Sequence, residues 1–188
     1  AGISLYRPGP MDFIPNYIRG KNNADTVTYV TPELQPILEP TYGCIVYQEQ
    51  VMQIVQQLAG YTMGQADNIR AMSKKKQYVI DAERQSFVYG DSERGIRGCV
   101  ANGIDEKAAN SIYDSMVDFA KYAFNKSHAA AYAVISVQTA WLKFYYPVEF
   151  MAALMTSVID NSAKAAEYLL HCKELGISVL PPDITLQD

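Results

Sequence analysis

Prolines decide where this chain can be helical. Pro8, Pro10, Pro15, Pro32, Pro36 and Pro40 all fall between Ala1 and Gly43. Each fixes φ and removes a backbone donor, so no long element is expected there. Within that span Tyr6-Arg7-Pro8-Gly9-Pro10 reads as a rigid turn able to hold Arg7 in one direction, against the commoner alternative of a loop arginine in solvent. Thr26 to Thr31 alternates enough for one short strand.

From Val46 the pattern turns helical. Val51, Ile54, Val55 and Leu58 recur at three- and four-residue spacing, which leaves Gln50, Gln53 and Gln57 outside, and Gly60 ends the helix. Thr62-Met63-Gly64-Gln65 has capping-box spacing and opens the next helix, through Ala66, Ile69 and Met72. That helix meets Arg70, Lys74, Lys75 and Lys76, the densest positive patch in the sequence, with no acid among them. Such a patch is either a solvated helix end, where cations suit the negative dipole pole, or a site for a polyanion. A helix restarting near Ser73 carries Val79, Ile80, Glu83 and Phe87 to Gly90, and Asp91 to Gly103 reads as a loop. Asp105 caps a helix whose Ala108, Ile112, Met116, Phe119 and Ala123 form an apolar stripe.

Asn125-Lys126-Ser127-His128 then packs an amide, a cation, a hydroxyl and an imidazole into four positions, ahead of a long run of helix formers that stops at Tyr146. Ser127 is the expected N-cap. Unpaired N–H groups there, with a lysine beside them, offer an anion site. The plainer alternative is a capped helix start with a solvated lysine. Pro147 suits the first turn of a helix over Val148 to Val158, with Met151, Leu154, Met155 and Val158 as core. Ser162 caps a last helix through Leu169 and Leu170 that Gly176 stops, and Ile177 to Ile184 is extended. The expected fold is mainly α: a Pro-rich loop region over 1–45, an irregular helical body over 46–176, and an exit segment over 177–188 leading toward another domain.

A chain of 188 residues can bury a real core. Its formal net charge of −4 gives no bulk pull toward nucleic acid, so any polyanion site must be a local cluster. Cys44, Cys99 and Cys172 are far apart, odd in number and without metal spacing, which reads as reduced thiols. With only His128 and His171 available, a histidine-rich metal site is excluded. Asp114 and Asp118 share a helix face, a spacing commonplace on solvated helices. Glycine-rich phosphate motifs and the nucleophile elbow are absent, as is the strand-borne carboxylate pair that two-metal nucleotidyl transfer needs. The apolar run from Ala129 to Ile135 is too short to span a bilayer, and no signal-peptide pattern opens the chain. A first residue other than Met suggests a segment of a longer polypeptide. The polar inventory of Arg70, Lys74 to Lys76 and Lys126 suits holding a phosphate chain better than cutting one.

Several stretches occur together in one order: Ser4-Leu5-Tyr6-Arg7-Pro8-Gly9-Pro10, Pro40-Thr41-Tyr42-Gly43 with Tyr47-Gln48-Glu49-Gln50-Val51-Met52, Gly60-Tyr61-Thr62-Met63-Gly64, Phe124-Asn125-Lys126-Ser127-His128, and Pro147-Val148-Glu149-Phe150-Met151-Ala152-Ala153. This set resembles the alpha subunits of bacterial DNA polymerase III, the C-family replicative polymerases, over nearly the whole chain, and specifically their fingers domain. The resemblance implies a mostly helical, cytoplasmic module that closes over the incoming deoxynucleoside triphosphate. The palm domain of the same subunit would hold the catalytic aspartates and magnesium. Primer–template DNA is an implied partner, with other replicase subunits such as the sliding clamp reached through regions outside this segment, and no membrane. By the same resemblance Arg70, Lys74, Lys75 and Lys76 contact the triphosphate, and Asn125, Lys126, Ser127 and His128 line the nucleotide site. His128 looks like the family's sugar-checking residue, and Arg7 would lie near the nucleotide or primer end. One departure stands out: the family carries two adjacent arginines before Ala-Met, where this sequence reads Asn68-Ile69-Arg70-Ala71-Met72. Loss of one residue turns the remainder of a helix by about 100°. That bears on the triphosphate role of Lys74 to Lys76 more than on the role of the Asn125 to His128 turn. A helical protein-interaction module that binds no nucleotide is the alternative, motivated by the acidic net charge and the Gln48 to Gln57 face.

Overall fold

In the computed structural model the early prolines start short helices rather than merely preventing long ones. The structure describes residues 1–70, 77–120 and 122–181, with the backbone alone at 70, 77 and 120. Pro10, Pro32 and Pro40 sit in the first turns of 3-10 helices (Pro10–Phe13, Pro32–Leu34, Glu39–Thr41), where a missing N–H costs nothing. Pro15 and Pro36 do the same for α2 (Ile14–Asn22) and α3 (Gln35–Leu38), after a one-turn α1 (Gly2–Leu5). Thr26 to Thr31 is not a strand: Ala24–Thr26 is a 3-10 turn, and the extended residues after it pair with no neighbouring strand. Alternation alone specifies an extended backbone; a strand also needs a ladder partner, and the described residues hold only two isolated bridges, Tyr47 with Phe124 and Asp91 with Ile96.

The body is helical as expected, in α4 (Gln48–Ala59), α5 (Met63–Arg70), α6 (Gln77–Tyr89), α7 (Glu106–Ala120), α8 (Lys126–Tyr145), α9 (Pro147–Thr156) and α10 (Ser162–Glu174). Two compact units result, Ala1–Tyr132 and Ala133–Asp188. In the first, α4 is the central rod. Its Val51, Ile54, Val55 and Leu58 are buried against Ala66 and Ile69 of α5, Ile80, Phe87 and Val88 of α6, and Ile112, Tyr113 and Met116 of α7. Each such aliphatic or aromatic side chain contributes about 1.5–3 kcal/mol on burial. Gln50 departs from the expected outer face: it is buried, and its amide is fully used. Its Oε1 accepts from the N–H groups of Val46 (2.8 Å) and Tyr47 (3.0 Å), while Nε2 donates to Ile37 O (3.1 Å) and Thr41 Oγ1 (2.7 Å). A buried amide is tolerated on those terms.

The capping signals ahead of α5 and α7 hold. Thr62 N–H donates to Gln65 Oε1 (2.8 Å) at the start of α5, and Asp105 Oδ1 accepts from Lys107 N (2.9 Å) and Ala108 N (3.1 Å) before α7. Of the stripe of α7, Ile112, Met116 and Phe119 are buried as expected, Ala108 is half-buried against the core, and Ala123 lies beyond the helix end. The loop between α6 and α7 is tied down: Gly98 donates to Ala59 O (2.9 Å) and Cys99 to Phe87 O (2.9 Å). At Gly98, φ is +82° and a Cβ would lie 2.3 Å from the nitrogen of Gly90, so only glycine lets the two backbones cross. Arg94 in this loop donates from both Nη atoms to the Glu83 carboxylate (3.1 and 3.0 Å), which also accepts from Tyr61 Oη (2.8 Å). Burial raises the Tyr61 pKa, and the hydrogen bond to Glu83 adds to the shift.

In the second unit Pro147 occupies the first turn of α9 as expected, and Met151 is buried while Leu154, Met155 and Val158 are half-buried. The cap of α10 is Asn161, one residue before the expected Ser162: its Oδ1 accepts from Lys164 N–H at 3.1 Å. The amide reaches the third helical N–H from just outside the helix, so Ser162 becomes its first residue. Cys172 is buried with its thiol 4.0 Å from Met155 Sδ. Leu169 and Leu170 are exposed.

Candidate functional site

A short parallel pairing of Tyr47 with Phe124 holds the start of helix α8 beside the start of α4. Gln48 N–H donates to Phe124 O (3.0 Å), Phe124 N–H to Val46 O (3.2 Å), and Gln48 Nε2 to Ala123 O (3.3 Å). Asn125 follows immediately and its Oδ1 accepts the His128 N–H at 2.9 Å. Asn125 is therefore the N-cap, not Ser127, which lies inside the helix as its second residue. Both are good capping types; the one placed just outside the first helical residue takes the role. The anion site expected at this helix start is also not vacant. Both oxygens of Glu49, in the first turn of α4, lie 3.1 Å from the Lys126 backbone nitrogen. The chain supplies its own carboxylate there. Sequence reasoning missed Glu49, because an acid in a first turn is already explained by its own helix dipole.

The side chains of Asn125, Lys126, Ser127 and His128 are all exposed. The His128 ring is packed between Phe124, just ahead of the helix (centroids 5.3 Å apart), and Tyr132 (4.7 Å), which lies four residues on along the same helical face. The Lys126 ammonium lies 5.9 Å from the Tyr47 ring centroid. Arg7 is brought to the same place. Its guanidinium carbon sits 4.7 Å over the Phe124 ring, Nη2 donates to Tyr122 O, and Nε donates to Ser4 O (3.2 Å). The rigid turn expected around Arg7 depends on Gly9, whose φ is +97° and where a Cβ would meet the Tyr122 ring at 2.4 Å. The fold thus joins Arg7 with Asn125 to His128, although they lie more than a hundred residues apart. The Arg70 side chain and Lys74, Lys75 and Lys76 lie outside the described residues.

A cavity of about 500 Å³ in the same unit is lined by Asn16, Arg19, Val27, Tyr42, Asp118 and Phe119 among others, and by none of the turn residues. Asp114 is engaged by Arg84, with Nη2 at 2.5 Å. Among the described residues no group of three or more His, Cys, Asp or Glu could hold a metal ion, and no helix is long and apolar enough to cross a membrane. The cysteines are free thiols, and burial pushes that of Cys99 up to about 12.

Residues 1–95 match the bacterial DNA polymerase III alpha subunit finger domain. The chain belongs to that family. Similarity continues past the matched half of this finger domain. The DNA polymerase III alpha subunit of Pasteurella multocida (strain Pm70) is 49% identical over 190 residues, covering 97% of the chain. That of Thermus aquaticus is 49% identical over 188 residues, again 97% of the chain. That of Neisseria meningitidis serogroup A is 47% identical over 189 residues and covers 100% of it, the Asn125 to His128 turn included. The finger-domain chain spans 16%, 15% and 16% of the lengths of those three subunits.

Proposed function

We propose that this finger domain binds the incoming deoxynucleoside triphosphate of a replicative DNA-directed DNA polymerase and closes over it during template-directed synthesis, while another part of the same polypeptide joins it to the primer. The observation that carries this reading is the convergence of the Arg7 guanidinium, the Phe124 ring and the His128 ring at an exposed turn. Phosphoryl transfer depends mainly on positioning and on neutralising charge, and these residues are suited to both. The His128 ring, held between Phe124 and Tyr132, would crowd a ribose 2′-hydroxyl and admit a deoxyribose. Arg70 and Lys74 to Lys76 would meet the triphosphate, each charge-assisted bond contributing about 1.5–3 kcal/mol where water is excluded, while Lys126 would line the nucleotide site and Arg7 would lie near the nucleotide or primer end. Magnesium, carried by the nucleotide and the palm domain, would supply the metal chemistry.

The test is made in the intact subunit. His128→Ala should raise ribonucleotide incorporation relative to deoxyribonucleotide; an unchanged ratio overturns the sugar-checking role. The isolated chain with magnesium should not extend a primer, and measurable extension would contradict the division of labour. A helical interaction module with no nucleotide binding is the second reading, favoured by the apolar side chains exposed on α8 to α10. Nucleotide or DNA binding that weakens with rising salt separates the two in favour of the first.

A further inference from the structure

We infer that Glu49 is a positioning residue for the nucleotide-facing turn, setting sugar discrimination through His128; the inference rests on the reading above. Its carboxylate straddles the first amide of α8, with both oxygens 3.1 Å from Lys126 N. The helix end is thereby fastened to α4, whose inner face, Val51, Ile54 and Val55, lies in the core. Around it the pairing of Tyr47 with Phe124 and the Gln48 side-chain bond to Ala123 O fix the approach of the chain, and Asn125 fixes the first turn. The orientation of the His128 ring therefore inherits the rigidity of α4 across this junction.

The same contact settles which part of a nucleotide the turn can serve. A phosphate approaching the α8 start would meet a carboxylate already seated on the first N–H, not a bare amide, and like charge would repel it. What remains outward are side chains: the imidazole of His128 and the ammonium of Lys126. The turn consequently acts on the nucleotide through these groups, at the sugar end, and not as a backbone phosphate cradle.

Single-nucleotide incorporation by the intact subunit tests this, with matched deoxy- and ribonucleotides. Glu49→Ala should lower the deoxy-over-ribo preference by about fivefold, the effect of losing one ordinary hydrogen bond, with KM for the deoxynucleotide moving more than kcat. Glu49→Gln keeps an oxygen that can accept the Lys126 N–H, and should hold the preference within about twofold of the parent. Combining Glu49→Ala with His128→Ala should add nothing to the loss seen with His128→Ala alone. The inference falls if Glu49→Ala slows both nucleotides in equal proportion, or if Glu49→Gln is as damaging as Glu49→Ala. If His128→Ala changes the preference and Glu49→Ala does not, this inference fails alone; if neither does, the sugar-checking role fails with it.

Discussion

Helix α4 and the second half of α8 are both rich in aliphatic and aromatic side chains, yet one hides them and the other does not. Val51, Ile54, Val55 and Leu58 of α4 are at most 2% exposed, whereas Val137, Trp141, Phe144 and Tyr145 of α8 range from 50% to 78%. On α4 the apolar residues recur on one stripe and polar ones fill the other, so neighbouring helices of the same unit can cover the stripe completely. From Ala129 onward α8 is apolar nearly all round, and no single packed face accounts for it. Periodicity, more than hydrophobic content, shows which surface a segment can bury with its own neighbours.

The sharpest way to break that contrast is a matched pair of truncations. Leu58→Ala should cost about 2–5 kcal/mol, read from urea unfolding of the chain, because it leaves a void in the core of the first unit. Leu170→Ala, on a side chain 60% exposed in the second, should stay within about 0.5 kcal/mol; an equal loss at both would abolish the distinction. Glu83→Ala tests whether the first unit also depends on buried polar partners. It removes the carboxylate that accepts from both Nη atoms of Arg94 and from the Tyr61 hydroxyl, and about 1–3 kcal/mol should be lost in the same assay.

Caps offer a finer comparison, since each unit has one asparagine doing the same job. Asn125→Ala and Asn161→Ala should each cost about 0.5–2 kcal/mol of stability. A cost at Asn161 far below that at Asn125 would mean that α10 is held mainly by something other than its own start. The smallest effect is kinetic. Burial raises the pKa of Cys99 to about 12, so almost no thiolate is present at neutral pH, and the native chain should leave it unlabelled by iodoacetamide until unfolded. The half-buried Cys44 should react first, as peptide mass mapping would reveal.

Short-range signals were the readable part of this fold. The Thr62–Gln65 box, the Asp105 cap and the first-turn Pro147 all act within a few residues of themselves, and all stand where the sequence puts them. Ser127 and Ser162 mislead for a local reason too: each lies close behind an asparagine of equal capping ability, and only the backbone decides between them. Gln50 and Glu49 were unreadable for a different reason. The Gln50 oxygen finds its donors locally, at Val46 and Tyr47, but its NH2 group needs Thr41 and Ile37, nine and thirteen residues away, and the Glu49 carboxylate is seated seventy-seven residues away at Lys126. At the candidate site the residue types were legible, as was the turn that aims Arg7. Its arrival over Phe124 was not, because that depends on how the fold brings the N-terminal segment to the start of α8.

Trp141 is the only tryptophan in the chain, and its indole stands 4.8 Å from the ring of Tyr145 and 5.6 Å from that of Tyr146. Intrinsic emission excited at the red edge therefore reports on the part of α8 that belongs to the second unit. A fluorescence melt and a circular-dichroism melt of this chain follow different parts of it, and disagreement between them would be a measurement in its own right.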